Sequence, residues 1–208
     1  MQEGMNPLYP IFLKLHELNL LIVGAGEVGY EKLSFILKSS PEANITVVAT
    51  WVSNEVYDLL REREYKVKVI KRGFQKEDVE DHDIVIAATN DRLLNEQVRM
   101  AAKAKGKLVN VADTPALCDF YLGSIVTKGP LKIGISTNGQ SPTFAKRFRQ
   151  LLEEILPNDI SGLINNLKDI RDRLKGDFVY KVRKLNAITA GLLEEEDSNT
   201  EPTTKEDT

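Results

Sequence analysis

An α/β fold, with helices packed on the faces of a parallel sheet, is predicted for residues 1–112 by two observations. Short apolar runs alternate with longer amphipathic segments from Leu18 to Val111, and the first run enters its helix through a glycine-spaced turn. A third observation sets the limit of that pattern. After Asp113 the alternation stops, and a short α+β segment followed by C-terminal helices is predicted instead.

Taken in order, the runs "NLLIVG", "ITVVAT", "YKVKVI", "DIVIAAT" and "KLVNVA" read as strands. Between them "EVGYEKLSFILKSS", "NEVYDLLREREY" and "LLNEQVRMAAKAKG" read as helices. Val28, Leu33, Ile36 and Leu37 form an apolar stripe in the first, as do Leu94, Val98 and Ala101 in the third. Lysine alternating with valine in "YKVKVI" predicts a half-exposed or edge strand. Further on, "DFYLGSIVTKGPLKIGIST" reads as a hairpin turning at Thr127–Pro130, with Leu131, Ile133 and Ile135 on one face. In "SPTFAKRFRQLLEEIL" Ser141 is the expected N-cap and Pro142 the first helical residue. Phe144, Phe148, Leu151, Leu152 and Ile155 make its stripe, and Pro157 stops it. One or two helices are expected over 158–190. The domain scheme is therefore 1–112, 113–157, 158–193, and an acidic 194–208 tail too polar to order itself.

Within Gly24-Ala25-Gly26-Glu27-Val28-Gly29 each glycine has a physical task. Gly24 permits a tight turn, Gly26 lets a pyrophosphate approach the backbone, and Gly29 allows helix to pack closely on strand. The strand before and helix after are the context this motif requires, so a Rossmann-like dinucleotide site is predicted, with phosphates on the N–H groups of the helix start. The second strand ends without an acid to bind a ribose. Thr50 can hydrogen-bond a ribose instead, and Trp51 either stacks on adenine or packs at the strand end. With neither a carboxylate to repel a 2′-phosphate nor an arginine to attract one, NAD and NADP stay open. Thr89 and Asn90 fall at the carboxyl edge of the fourth strand, where ligands bind, and Asp91 is the expected cap of the next helix. Asp113 ends the fifth strand on that edge. It is either a proton acceptor beside a hydride transfer or the start of the Asp-Thr-Pro turn. The polar turn "STNGQSP", with Ser136, Thr137 and Asn138, is a candidate anion site. Lys146 and its basic neighbours are either a substrate contact or a solvated helix face.

Composition narrows the classes. Residues 194–208 hold seven acids and one lysine, so they carry −6 of the net −3 and the rest is mildly basic, at +3. There is no dense basic stripe with interleaved aromatics, which argues against nucleic acid. The single cysteine, Cys118, excludes an internal disulfide framework and is expected as a buried small residue. His16 and His82 stand apart, so no metal-ligand spacing is present. Neither a membrane-length apolar run nor a signal-like N-terminus appears, and a cytoplasmic setting with no membrane partner is expected.

The ordered motifs "YPIFLKL", "LIVGAGEVGYEK", "AATNDRLLN", "VNVADTPALCDF" and "ISTNGQSPTFAKRFRQLLEE" resemble the siroheme-synthase family of precorrin-2 dehydrogenases, over roughly residues 7–157. That resemblance implies NAD-dependent oxidation of precorrin-2 to sirohydrochlorin, and in some members insertion of Fe2+ by the same protein. It places the family's general base on Asp113, and its cofactor contacts on the glycine turn with Glu27 and Val28 and on Thr50 and Trp51. It makes 113–157 a dimerisation hairpin and helix, implying a homodimer, and aligns Thr137, beside Ser136, with a phosphorylatable serine. Precorrin-2 bears eight carboxylates, so a basic wall around Lys128, Lys132, Lys146 and Arg147 suits it. No methyltransferase segment follows, so a stand-alone dehydrogenase is expected. A non-catalytic NAD-sensing module is the alternative from another class, although it predicts an acidic second-strand end that is missing here.

Overall fold

The computed structural model describes residues 5–190; the expected disordered tail at 194–208 lies outside them. Five strands, β1 (Asn19–Ala25), β2 (Asn44–Val52), β3 (Val67–Lys71), β4 (Ile84–Ala87) and β5 (Leu108–Val111), form one sheet in the order β3-β2-β1-β4-β5. Every neighbouring pair is parallel. The helices α1 (Glu27–Ser39), α2 (Asn54–Glu62) and α3 (Arg92–Ala104) make the crossovers. The chain winds outward from β1 to β3, then returns to place β4 on the other side of β1. That reversal opens a crevice at the carboxyl ends of β1 and β4.

The period-2 alternation of strands divides the core between two faces. Leu20, Ile22, Ile45, Val47, Ile84 and Ile86 point to the face that Leu33, Ile36 and Leu37 of α1 cover. Leu21, Val23, Val48, Val85 and Val109 point to the opposite face, against Val98, Ala101 and Ala102 of α3. Buried on both sides, β1 and β4 read as continuous apolar runs. β3 is an edge strand with none of its residues fully buried, as its alternating lysines predict. Between β3 and β4 the crossover contains only a single 3-10 turn at Lys76–Val79, which buries Val79.

The other edge, β5, is covered by its own downstream chain. Asp119 accepts from Val109 N at 3.0 Å and donates its own N–H to Val109 O at 2.8 Å. Cys118 Sγ accepts from Val111 N and donates to Val111 O, both at 3.2 Å. Segment 118–119 thus does the work of a sixth strand, closing an edge that would otherwise template pairing. Half-buried, the thiol is pushed above its ordinary pKa chiefly by burial, so it keeps the proton it donates.

Beyond β5 lie the hairpin of β6 (Ser124–Lys128) and β7 (Leu131–Ile135), then α4 (Pro142–Ile155), α5 (Ile160–Arg173) and α6 (Phe178–Ile188). Gly129 turns the hairpin with φ 54°. Ser141 Oγ accepts from Phe144 N at 3.2 Å, so α4 starts where expected. Its predicted stripe is uncovered except at half-buried Leu152, with Phe144 58% and Leu151 49% exposed, and Phe144 stacks on Phe148 at 5.8 Å. The chain divides into two compact units. One runs to Thr127 and resumes over Lys132–Glu154, and the other takes Lys128–Leu131 and the chain from Ile155 on. The expected boundary at 112/113 is not one of these division points.

Candidate functional site: the carboxyl edge of the sheet

Backbone crowding builds the edge. At Gly24 φ is +108°, and a Cβ there would sit 2.7 Å from the carbonyl carbon of Ala88 and closer still to its oxygen. At Gly29 a Cβ would sit 2.7 Å from the carbonyl carbon of Gly24. Both glycines are therefore fixed by the protein's own packing, one by turn conformation and contact with Ala88 just past β4, the other by contact of α1 with the turn. Gly26 differs. Its φ of −80° suits any residue, and an added Cβ would meet only the Trp51 ring, at 3.7 Å. Nothing inside the fold requires a glycine there.

Gly26 is also the N-cap of α1, and no side chain caps that end. The first N–H groups of a helix lack intrahelical partners and carry the positive end of its dipole. An uncapped helix start beside a bare Cα is a cradle for a phosphate, and this is the test the site passes for a dinucleotide. Glu27 is exposed and Val28 half-buried at the helix start. Thr50 and Trp51 are exposed in the last turn of β2, Trp51 at 64%. The indole is exposed at the strand end, and its ring borders Gly26.

Across the crevice, Thr89 is half-buried and Asn90 exposed. Asp91 caps α3, accepting from Leu93 N at 2.9 Å and Leu94 N at 3.1 Å, as expected. The Thr89 hydroxyl faces inward, donating to Asn95 Oδ1 at 2.7 Å and accepting from Asp91 N at 3.1 Å. Asn95 was not legible as a site residue, yet it is only 6% exposed. Its one sequence signal is a polar residue on the Asn95–Val98–Ala102 stripe.

Asp113 follows β5 on the same edge, exposed, with φ 57°. Left-handed backbone is uncommon outside glycine, and aspartate is among the residues that tolerate it. Thr114, not Asp113, is the N-cap of the 3-10 turn Pro115–Leu117, so the carboxylate does not serve the turn as a cap. The second φ-positive non-glycine residue is Asn138 at 52°. There, Ser136 Oγ accepts from Asn138 N at 3.2 Å and Thr137 Oγ1 from Ser141 N at 3.1 Å, so both hydroxyls hold their own loop.

The basic wall is only partly available. Lys132 Nζ donates to Ser39 O and so closes the C-terminus of α1, one helix length (about 20 Å) from the glycine turn. Lys128 Nζ donates to Leu156 O at 2.9 Å and Asn158 Oδ1 at 3.0 Å. Lys146 and Arg147 are exposed. Among the described residues no three His, Cys, Asp or Glu side chains gather to hold a metal, and no helix is long and apolar enough to cross a membrane.

A family model described as NAD(P)-binding (NAD_binding_7) matches residues 11–124, more than half of the chain. The chain belongs to this NAD(P)-binding family. A second model, sirohaem biosynthesis protein central, matches residues 128–155 of the same NAD(P)-binding chain, the hairpin turn and α4. The siroheme synthase of Pseudoalteromonas atlantica is 39% identical over 170 residues, covering 82% of this chain and 36% of that protein. That of a Psychrobacter species is 38% identical over 167 residues, covering 80% and 34%. The chain therefore spans about a third of the length of these curated relatives. Among solved structures, one titled SirC, precorrin-2 dehydrogenase, superposes with a TM-score of 0.68 at 26% identity, over 87% of this chain and 89% of that one. The parallel five-stranded α/β fold is the same, and the ligand class of the matched family is a nicotinamide dinucleotide.

Proposed function

We propose that this protein is an NAD-dependent precorrin-2 dehydrogenase, oxidising precorrin-2 to sirohydrochlorin in siroheme synthesis. The observation that carries the proposal is a free carboxylate, Asp113, held in left-handed backbone on the edge that carries the uncapped glycine cradle. Its support is the 0.68 TM-score to a protein titled precorrin-2 dehydrogenase and the siroheme synthase relatives over four-fifths of the chain. The domain scheme proposed is a dinucleotide domain over 1–112, a dimerisation hairpin and helix over 113–157, and a helical region over 158–193.

Gly24, Gly26, Glu27, Val28 and Gly29 would hold the pyrophosphate, with Thr50, Trp51, Thr89 and Asn90 bordering the adenosine and the crossing point. The cofactor, when bound, supplies the two-electron acceptor. Asp113 takes the proton that must leave the macrocycle in the same oxidation, a task an exposed carboxylate at a strand end can perform and pass to solvent. Gly26 admits a phosphate because it carries no side chain, and the Trp51 ring borders that space. Ser136, Thr137, Asn138 and Lys146 are the proposed substrate contacts, with Lys146 matching the charge of an octacarboxylate. The exposed Phe144–Phe148–Leu151 stripe is the surface a second copy would cover in the proposed homodimer.

Purified protein mixed with precorrin-2 and NAD+ should yield NADH and sirohydrochlorin absorbance in equal amounts. NADP+ in a parallel reaction decides cofactor preference, and Fe2+ or Co2+ added to the product tests for chelation. Cofactor binding without any turnover of precorrin-2 would overturn the proposal in favour of a sensing module.

A further inference from the structure

Asn95 lies on α3, one turn in from the helix start, at a position the apolar stripe would give to leucine or valine. It is nine-tenths buried, and every hydrogen bond its carboxamide makes goes to one residue. Oδ1 accepts from Thr89 N at 3.2 Å and from Thr89 Oγ1 at 2.7 Å, while Nδ2 donates to Thr89 O at 2.9 Å. The side chain thus closes a two-bond ring with the Thr89 peptide, as a neighbouring strand would, two residues past the point where the β4 ladder ends. β5 does not do this for Thr89, because its own pairing with β4 stops at Ala87–Val111.

The ring fixes what Thr89 presents. Its hydroxyl is drawn toward α3, and its methyl Cγ2 lies 3.0 Å from where a Cβ on Gly24 would be. The preceding carbonyl, Ala88 O, is the atom against which Gly24 packs. One carboxamide therefore sets the position of the strand end on which the glycine turn rests, and holds the Asn90 backbone at the crevice. From this we infer that Asn95 is a positioning residue for the dinucleotide site: it touches no cofactor, and it sets affinity by holding Ala88–Asn90 against the glycine turn. The inference rests on the cofactor reading proposed above.

The test uses the full chain and reads binding apart from turnover, through quenching of Trp51 by NAD+ and NADH. Trp51 is the sole tryptophan and borders Gly26. Asn95→Ala is expected to raise the Kd for both forms about tenfold or more, because the Thr89 N–H, carbonyl and hydroxyl all lose a buried partner. Steady-state KM for NAD+ should rise in step, with kcat at saturating cofactor falling much less. Val98→Ala is the matched control: it cuts a fully buried side chain from the same helix, and so lowers Tm while leaving Kd unchanged. Should Asn95→Ala not fold, Asn95→Leu keeps the branched shape and completes the apolar stripe of α3, removes all three side-chain bonds to Thr89, and carries the same expectation. An Asn95 variant that binds NAD+ like the parent, or a Val98→Ala protein that weakens binding equally, overturns the inference. Parent protein that binds neither NAD+ nor NADH instead overturns the cofactor reading on which it stands.

Discussion

Alanine substitutions at the three glycines of the turn separate packing from ligand binding. At Gly29 the new Cβ would lie 2.7 Å from a backbone carbon, against an ordinary contact of about 3.5–4.0 Å, so α1 must withdraw by about 1 Å. Overpacking of that kind costs about 1–3 kcal/mol, and the better helix propensity of alanine returns about 1 kcal/mol. At Gly24 no such return exists, because the residue lies outside α1 with φ +108° and the obstacle is the Ala88 backbone, just past β4. Strain of about 1–3 kcal/mol adds to the overpacking. At about 2–4 °C per kcal/mol for a chain of this size, Gly24→Ala should lower Tm by about 5–15 °C. Gly29→Ala should lower it by a few degrees.

Gly26→Ala is the decisive variant. Its Cβ meets only an indole edge at 3.7 Å, so Tm should move by no more than about 2–3 °C, the cost of alanine at an N-cap. Yet the Cβ occupies the cradle, and a hydrogen bond to a charged phosphate is worth about 1.5–3 kcal/mol. NAD+ affinity by calorimetry or Trp51 quenching should therefore fall about 10- to 100-fold. A Gly26→Ala protein that binds NAD+ like the parent would refute the placement of the phosphates. One that loses stability like Gly24→Ala would refute the packing argument.

Asp113→Asn keeps a residue that tolerates φ 57° and removes the proton acceptor, so turnover should drop about 10²- to 10⁴-fold with NAD+ affinity and Tm nearly unchanged; stopped assays beside calorimetry separate the two. Asp78 is held below the usual carboxylate range first by its hydrogen bonds with Arg72, at 2.5 and 2.8 Å. A depressed folded pKa contributes stability above the unfolded value, near 4, and loses it as pH falls through the folded one. Melting scans should therefore show a drop below about pH 4 that Asp78→Asn removes. Cys118→Ala strips Val111 N and O of their shared partner and should cost about 1–2 kcal/mol by denaturant melts, with Cys118→Ser recovering part.

The sheet was legible because both of its periodicities are strong. Buried runs such as Leu20–Val23 and Ile84–Ala87 are apolar throughout, and lysines in β3 marked an edge. Asp91, Ser141 and Pro142 announced helix starts through local chemistry that needs no tertiary contact. What escaped was long-range. Asn95 sits on an apolar stripe, and only the folded chain brings Thr89 to it. Nor does sequence distinguish the lysines, since Lys132 is spent on the far end of α1 through a contact 93 residues away in sequence. The glycine spacing did imply three roles, but that two are demanded by packing and one is left free emerges only from the approach of Ala88 to Gly24.

That division between demanded and free groups extends across the whole edge. Among the described residues, every buried side-chain nitrogen and oxygen has a hydrogen-bond partner. Ser53 donates its N–H to Ala25 O at 3.0 Å and caps α2, fixing β2 beside the turn where the register of β1 and β2 shifts. Asn95 fixes Thr89 just past the end of β4, and Asp91 caps α3 beside it. The frame is therefore closed on itself, and no part of it needs a ligand to be satisfied. The groups left over are the N–H groups of an uncapped helix, an exposed indole, an exposed asparagine and a carboxylate on strained backbone. An edge that satisfies its frame and leaves these four unspent can bind a dinucleotide without reorganising, so affinity is not drained by ordering the site. The corollary can be checked by hydrogen exchange. On the proposed placement of the phosphates, amides of Gly24–Gly29 should slow on adding NAD+, while those of Ala88 and Thr89, already bonded to Val23 O and Asn95, should change little.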